Sequence, residues 1–215
     1  MAVLYRLGVP IFESVGQCSA CQAERDIHGD HCVSCPSHGE RISRHNHLRD
    51  TLFTAAVSAS LGPSREDRYL LPQAEGARPA DLFIPLWGSG GRDAALDVTV
   101  VSPFQQATLL RAAREPGFAL QLRLRQKLNK YEEACRAQGI SFHALVVETL
   151  GSWEEGSAEI IKRLGKALAR ATCQDDAEVT RHLFGKLSII LQRDNASAIL
   201  NRIQVHPNSS VNGDL

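Results

Sequence analysis

Four cysteines and two histidines crowd one short stretch: Cys18-x2-Cys21 is followed by His28, His31, Cys32 and Cys35. A Cys-x2-Cys turn offers two thiolates to one tetrahedral ion, and a second pair some ten residues later completes the shell. Two ligand sets fit the spacing. One is Cys18, Cys21, Cys32 and Cys35; the other is Cys18, Cys21, His31 and Cys35, with Cys32 a bystander. Either set fills all four positions, so the zinc it binds is structural rather than catalytic. Residues 17–40 are rich in polar residues and Gly, so metal binding would supply much of their folding energy. The alternative is a set of incidental cysteines or a disulfide, but in a reducing compartment clustered thiols are more often ligands. Cys135 and Cys173 fall on helical segments and read as small hydrophobes.

A second chemistry rests on carboxylates and lysines. Asp97 sits inside the β-branched run Leu96-Asp97-Val98-Thr99-Val100, and Asp81 opens the preceding strand. A carboxylate buried in such a run is costly unless something compensates it. A divalent ion would do so, because two strands of a hairpin can bring Asp81 and Asp97 together. Paired carboxylates hold Mg²⁺ or Mn²⁺ for phosphodiester hydrolysis. The competing view makes Asp81 a strand-start residue and has Asp97 hydrogen-bonded to a helix N-terminus. Lys127 and Lys130 share a face of the helical segment 118–138, beside Arg123, Arg125 and Arg136. Either lysine can project a cation toward the acids, or the whole set can be a solvated basic face. Upstream, Arg41, Arg44, His45 and Arg49 form a basic helix face suited to backbone phosphates. His45-Asn46-His47 spells a nuclease triplet, but consecutive helical residues diverge by about 100° and do not converge on one ion. Gly88-Ser89-Gly90-Gly91 lacks the Lys-Ser/Thr of a phosphate loop and reads as a hairpin connection. Glu148 either extends the metal site or caps the next helix, and Trp153 packs against or staples that helix.

The elements that must position these groups follow from periodicity. Residues 42–61 repeat apolar side chains at helical steps and stop at Gly62-Pro63. Three short strands are expected at 69–71, 81–87 and 94–101, the last apolar enough to be buried on both faces. Helices are expected at 104–114 and 118–138, separated at Glu115-Pro116-Gly117, then a strand at 142–149. Strand, long helix and strand make a parallel βαβ unit. Helices at 158–171 and 176–203 follow. The fold class is therefore α/β: a mixed sheet with flanking helices, an N-terminal zinc knuckle and a C-terminal helical pair. The expected organisation is 1–40 for the knuckle with an apolar lead-in, 41–155 for the α/β core, 156–205 for the helical pair and 206–215 for a disordered tail. The 24 basic and 24 acidic residues balance, so net charge alone announces no nucleic-acid partner. No apolar run is long enough to span a membrane, and the N-terminus lacks the pattern of a secretory signal. The chain reads as intracellular.

The ordered set of these pieces resembles a known pattern. It runs Cys18-x2-Cys21…His31-x3-Cys35, Arg44-His45-Asn46, Arg78-Pro79-Ala80-Asp81, Leu96-Asp97-Val98-Thr99, Lys127-x2-Lys130-Tyr131 and Val147-Glu148-Thr149-Leu150-Gly151-x-Trp153. It is similar to the downstream region of retrotransposon reverse-transcriptase polyproteins, where a CCHC knuckle precedes a restriction-enzyme-like endonuclease of the PD-(D/E)xK superfamily. The resemblance covers roughly residues 4–203. It implies a zinc site of Cys18, Cys21, His31 and Cys35, Asp81 in the PD position with Ala80 intervening, and Asp97 as the second acid. Thr99 stands where the motif normally holds lysine; in this family the lysine has moved to the following helix, matching Lys127 or Lys130. Lys130 is preferred because it directly precedes Tyr131, and Glu66 is the candidate for the first-motif acid. The resemblance further implies a DNA endonuclease acting on DNA or RNA–DNA intermediates, with structural zinc and catalytic Mg²⁺ or Mn²⁺. It would be nuclear as a retrotransposon product, and would be a fragment or relic of a longer polyprotein. The alternative under the same resemblance is a decayed, zinc-containing nucleic-acid-binding module.

Overall fold

Two nine-residue strands form the spine of the molecule, because both are apolar and β-branched on either face. In the computed structural model, which describes residues 1–65, 70–71 and 79–203, they pair in parallel from Asp93↔Ile140 to Val101↔Glu148. In chain order the elements are α1 (Ala2–Arg6), β1 (Gly16–Gln17), β2 (Glu24–Arg25), α2 (Asp30–Ser34), α3 (Glu40–Ser58), β3 (Ser64–Arg65), β4 (Leu82–Ile84), β5 (Asp93–Val101), α4 (Leu109–Ala112), α5 (Phe118–Ala137), β6 (Ile140–Glu148), α6 (Glu155–Thr172) and α7 (Asp176–Leu200). The main sheet has the order β3-β4-β5-β6, with the β3–β4 and β4–β5 pairs antiparallel, the β5–β6 pair parallel, and α5 crossing over from β5 to β6. β1 and β2 form a separate small hairpin.

Strand alternation sorts the side chains onto two faces. Leu96, Val98, Leu145 and Val147 pack with Leu48 and Leu52 of α3, Ile161 and Leu164 of α6, and Leu187 and Leu191 of α7. On the other face Ala95, Val101, Ala144 and Val146 meet Ala119, Leu120, Tyr131 and Cys135 of α5. The C-terminal helices therefore share a core with the sheet. They cross closely at Gly165, where an added Cβ would lie 2.5 Å from Thr180 Oγ1. Glu154 caps α6 by accepting the Ser157 N–H at 2.8 Å.

Three expectations change. The 104–114 helix shrinks to α4, since Pro103 precedes a turn in which the Phe104 N–H donates to Ser102 Oγ. The 81–87 strand shrinks to β4, because Pro85 has no N–H for a ladder and Leu86 turns the chain at φ 56°. The strand beyond β4 is Ser64–Arg65, not 69–71; Leu70 and Leu71 are not in a strand, and Tyr69 lies outside the described residues. Glu66, Arg78 and the 206–215 tail also lie outside them. Among the described residues no helix is long and apolar enough to cross a membrane.

Candidate metal centre and active site

The β1–β2 hairpin and α2 bring four ligand atoms to one point. The Cys18 N–H donates to the Ala23 carbonyl and Gln22, at φ 63°, closes the turn, so Cys18 and Cys21 face inward together. Asp26 then sets the start of α2: its carboxylate accepts the N–H groups of His28 (2.8 Å), Asp30 (3.1 Å) and His31 (2.7 Å). The result places Cys18, Cys21, His31 and Cys35 with their donor atoms all within 4.8 Å of one another. Cys18 and Cys35 sulfurs lie 3.9 Å apart, and Cys21 Sγ lies 3.2 Å from His31 Nε2. Zinc–sulfur bonds of about 2.3 Å at tetrahedral angles require a sulfur–sulfur edge of about 3.8 Å. The donor set and its spacing fit structural zinc.

α2 turns His31 and Cys32 in different directions, and His31 is the one grouped with Cys18, Cys21 and Cys35. Adjacent helical residues point in different directions, and Cys32 turns into an apolar cluster with Tyr5, Val33 and Ile199. Burial pushes its thiol up to about 12. At Cys35 burial acts in the same direction but is outweighed by the Ser37 N–H and the Arg202 guanidinium, which bring the thiol down to about 7. Arg202 is itself 1% exposed and ties this module to the core, donating to Ser37 O at 2.9 Å and to both Glu40 oxygens.

Asp97 lies on the α5 face of the sheet, close enough to Asp81 for their charges to interact. Leu82 pairs with Leu96, so one step further along the chain puts Asp81 level with Asp97. β4 has ended there, and Asp81 Oδ2 accepts the Val98 N–H at 2.6 Å. Asp81 Oδ1 lies 3.0 Å from His45 Nε2, reached from α3. Asp97 meets the Lys127 ammonium at 2.7 Å and 3.0 Å. Burial pushes the Asp97 carboxyl up to about 6; Lys127 opposes this, and the charge of Asp81 adds to it. The hydrogen bond to Asp81 holds the His45 imidazolium above the ordinary histidine range, although burial works against it.

The two lysines exchange roles relative to the sequence preference. Lys130 is exposed, with its ammonium 4.7 Å from the Tyr131 ring centre, whereas Lys127 faces the acids. The basic face of α3 is also redistributed. Arg44 is 4% exposed and donates to Val33 O and Asn195 Oδ1, so it fastens the metal module to α7 instead of touching phosphates. His45 belongs to the acidic pair, and Arg49 meets Asp50 at 2.9 Å. Arg41 remains exposed and lines a cavity of about 390 Å³ with His45, Thr99 and Val100, next to the acids. His47 turns away to Asp194 at 2.7 Å, so it and His45 do not converge. Glu148 is level with Val101, four residues or about 13 Å along β5 from Asp97, and lies outside the acidic pair.

No protein-family model matches the chain, and no curated protein matches it. The likeness to retrotransposon endonucleases thus rests on the residues that carry it.

Proposed function

We propose that the chain is a metal-dependent DNA endonuclease module, an α/β nuclease core with a Cys3His zinc knuckle fastened to it. One observation carries the reading: Asp81, next to the start of β4, stands level with Asp97 of β5, and the Lys127 ammonium lies 2.7 Å from Asp97. Asp81 and Asp97 are the hard oxygen donors that would hold Mg²⁺ or Mn²⁺, ions that otherwise keep much of their water shell. When bound, the ion supplies Lewis acidity toward a phosphodiester and makes a water more acidic. The Val98 N–H and His45 orient the Asp81 carboxylate from two sides. Lys127 offsets the charge of Asp97 and lies where negative charge would develop on a phosphate. Arg41, at the mouth of the adjoining cavity, offers a backbone phosphate contact that positions the strand without reading sequence. The zinc module, locked by Arg44 and Arg202, gives that groove a rigid wall.

A second reading, a nucleic-acid-binding module without catalysis, is favoured by one specific feature. Each carboxylate already has a side-chain partner, His45 on Asp81 and Lys127 on Asp97, and Thr99 occupies the usual lysine position. Supercoiled plasmid separates the two. The nuclease nicks it only with Mg²⁺ or Mn²⁺, and Asp97→Ala abolishes nicking. Salt-sensitive retention of DNA with no nicking by either protein supports the binding module and overturns the enzyme.

A further inference from the structure

Among the described residues, three basic side chains and no acidic one line the cavity of about 390 Å³ between the start of α3 and the edge of β5. His45 is committed to Asp81. The other two, Arg41 and Arg44, form no ion pair among the described residues. Arg44 is 4% exposed, its hydrogen bonds go to the neutral acceptors Val33 O and Asn195 Oδ1, and its Nε has no partner. Burial brings its guanidinium down to about 10, and the charge of Arg41 pushes the same way against the pull of Tyr5 and Asp194. A buried cation without a counter-ion is costly, so an anion in the cavity that Arg44 lines would stabilise it.

Two backbone features face the same space. No side chain caps the 19-residue α3, which begins after Gly39 at the cavity wall. The positive end of its dipole is therefore left for an anion. Across the cavity, β4 has ended and its place in the sheet is vacant. The Val98 N–H turns to that side and is taken by Asp81 Oδ2. Val100, two residues on, turns its N–H the same way. That N–H has no partner among the described residues, and Val100 lines the cavity.

We infer that this cavity binds the terminal phosphate of a nucleic-acid strand. The inference rests on the nucleic-acid reading above and deepens it, because it assigns the Arg41 contact to a particular phosphate. An internal phosphodiester carries a sugar on either side and two free oxygens. A terminal monoester has one ester link and three free oxygens, so it enters a recess end-on. Those oxygens match three donors: the Arg41 guanidinium, the first N–H groups of α3 and the Val100 N–H. Arg44 acts by charge through the cavity wall and not by contact. Val100 lies three residues along β5 from Asp97, a distance of about 10 Å, or about three nucleotides at a rise of about 3.4 Å each. The cavity thus holds a strand end near the acids and takes no part in the cleavage step.

The test uses the full zinc-loaded chain without magnesium and labelled oligothymidine strands, read by fluorescence anisotropy. One strand ends in hydroxyls, one carries a 5′-phosphate and one a 3′-phosphate. A terminal phosphate should tighten binding about tenfold, and the two phosphorylated strands tell which end is held. Inorganic phosphate at constant ionic strength should compete away that gain and leave the plain strand bound. Arg41→Ala should bind phosphorylated and plain strands alike. Val100→Pro removes an N–H that the ladder does not use and should lose the gain, whereas Val100→Ala keeps the N–H and should retain it. Circular dichroism checks folding, and Arg41→Ala decides if Val100→Pro does not fold. Equal affinity for plain and phosphorylated strands overturns the inference, as does a gain that survives in Arg41→Ala or in folded Val100→Pro. Metal-dependent nicking without the gain removes the cavity proposal alone. The gain without nicking keeps the cavity while the nuclease reading fails, and neither binding nor nicking removes both.

Discussion

Replacing Asp97 with Asn should flatten the dependence of stability on pH, in a direction that follows from its environment. Asp97 is 6% exposed, and burial moves its carboxyl from the ordinary 3.8 to about 6 despite the pull of Lys127. A carboxyl with a higher pKa in the folded state holds its proton more tightly there. Its stabilising contribution is complete below about 3.8 and is lost as pH rises through about 6. The difference of about 2 pH units corresponds to roughly 3 kcal/mol, at about 1.4 kcal/mol per unit. Asn does not titrate, so the stability of Asp97→Asn minus that of the wild type should climb by roughly this amount as pH rises from about 4 to about 7.5. The pull of Lys127 acts on the ionised carboxylate and is already contained in the folded-state value of about 6, and zinc release at low pH is common to both and cancels. Urea titrations followed by circular dichroism across that range measure the difference. Magnesium adds a second arm: near neutral pH, a hundredfold excess over its dissociation constant should stabilise the wild type by about 2.7 kcal/mol and leave Asp97→Asn unmoved. A stability difference that stays flat or declines with pH would refute the reasoning, because Asp97 would then be no more costly to ionise in the fold than outside it.

Other expectations follow from single contacts. Cys32→Ala should retain one zinc per chain, whereas His31→Ala and Cys35→Ala should release it and unfold residues 16–35; zinc content by mass spectrometry and proteolysis of the knuckle read the contrast. Arg44→Met strips the donor from Val33 O and Asn195 Oδ1 and should lower stability by about 2–3 kcal/mol, with no change in the salt dependence of DNA binding. Arg41→Ala should do the reverse, reducing the slope of log affinity against log salt by about one at near-unchanged melting temperature. Gly165→Ala drives a methyl to 2.5 Å from Thr180 Oγ1 and 3.0 Å from its Cα, so thermal denaturation should show a loss of about 1–3 kcal/mol.

Local pattern carried much of this molecule into view. The buried β5 and β6, the crossover α5 and the helical pair follow from hydrophobic period, and the Cys-x2-Cys turn announced a metal site by spacing alone. What local pattern lacked was direction in three dimensions. His31 and Cys32 are neighbours that both fit a ligand spacing from Cys21, and only the rotation of α2 about its axis separates them. At Lys127 the signal was present. It lies three residues after Leu124 and four before Tyr131, on the stripe that α5 buries, whereas Lys130 is turned about 100° from Tyr131. Arg44 likewise precedes Leu48 by four and Leu52 by eight, the buried stripe of α3, so its polar type misled where its position did not. Proline explains the shortened strand and helix: Pro85 ends β4 and Pro103 delays α4. The partnership of His45 with Asp81 joins residues 36 apart and depends on β4 stopping one residue short, which no local period encodes.

The most direct measurement is an anomalous difference map from a crystal of the zinc-loaded protein soaked in Mn²⁺. A manganese peak bonded to both Asp81 and Asp97, with the Lys127 ammonium beside it and no such peak in Asp97→Asn, is the expected result. Density that shows manganese elsewhere, with His45 and Lys127 still closing the two carboxylates, would contradict the account and leave a zinc-stapled binding domain.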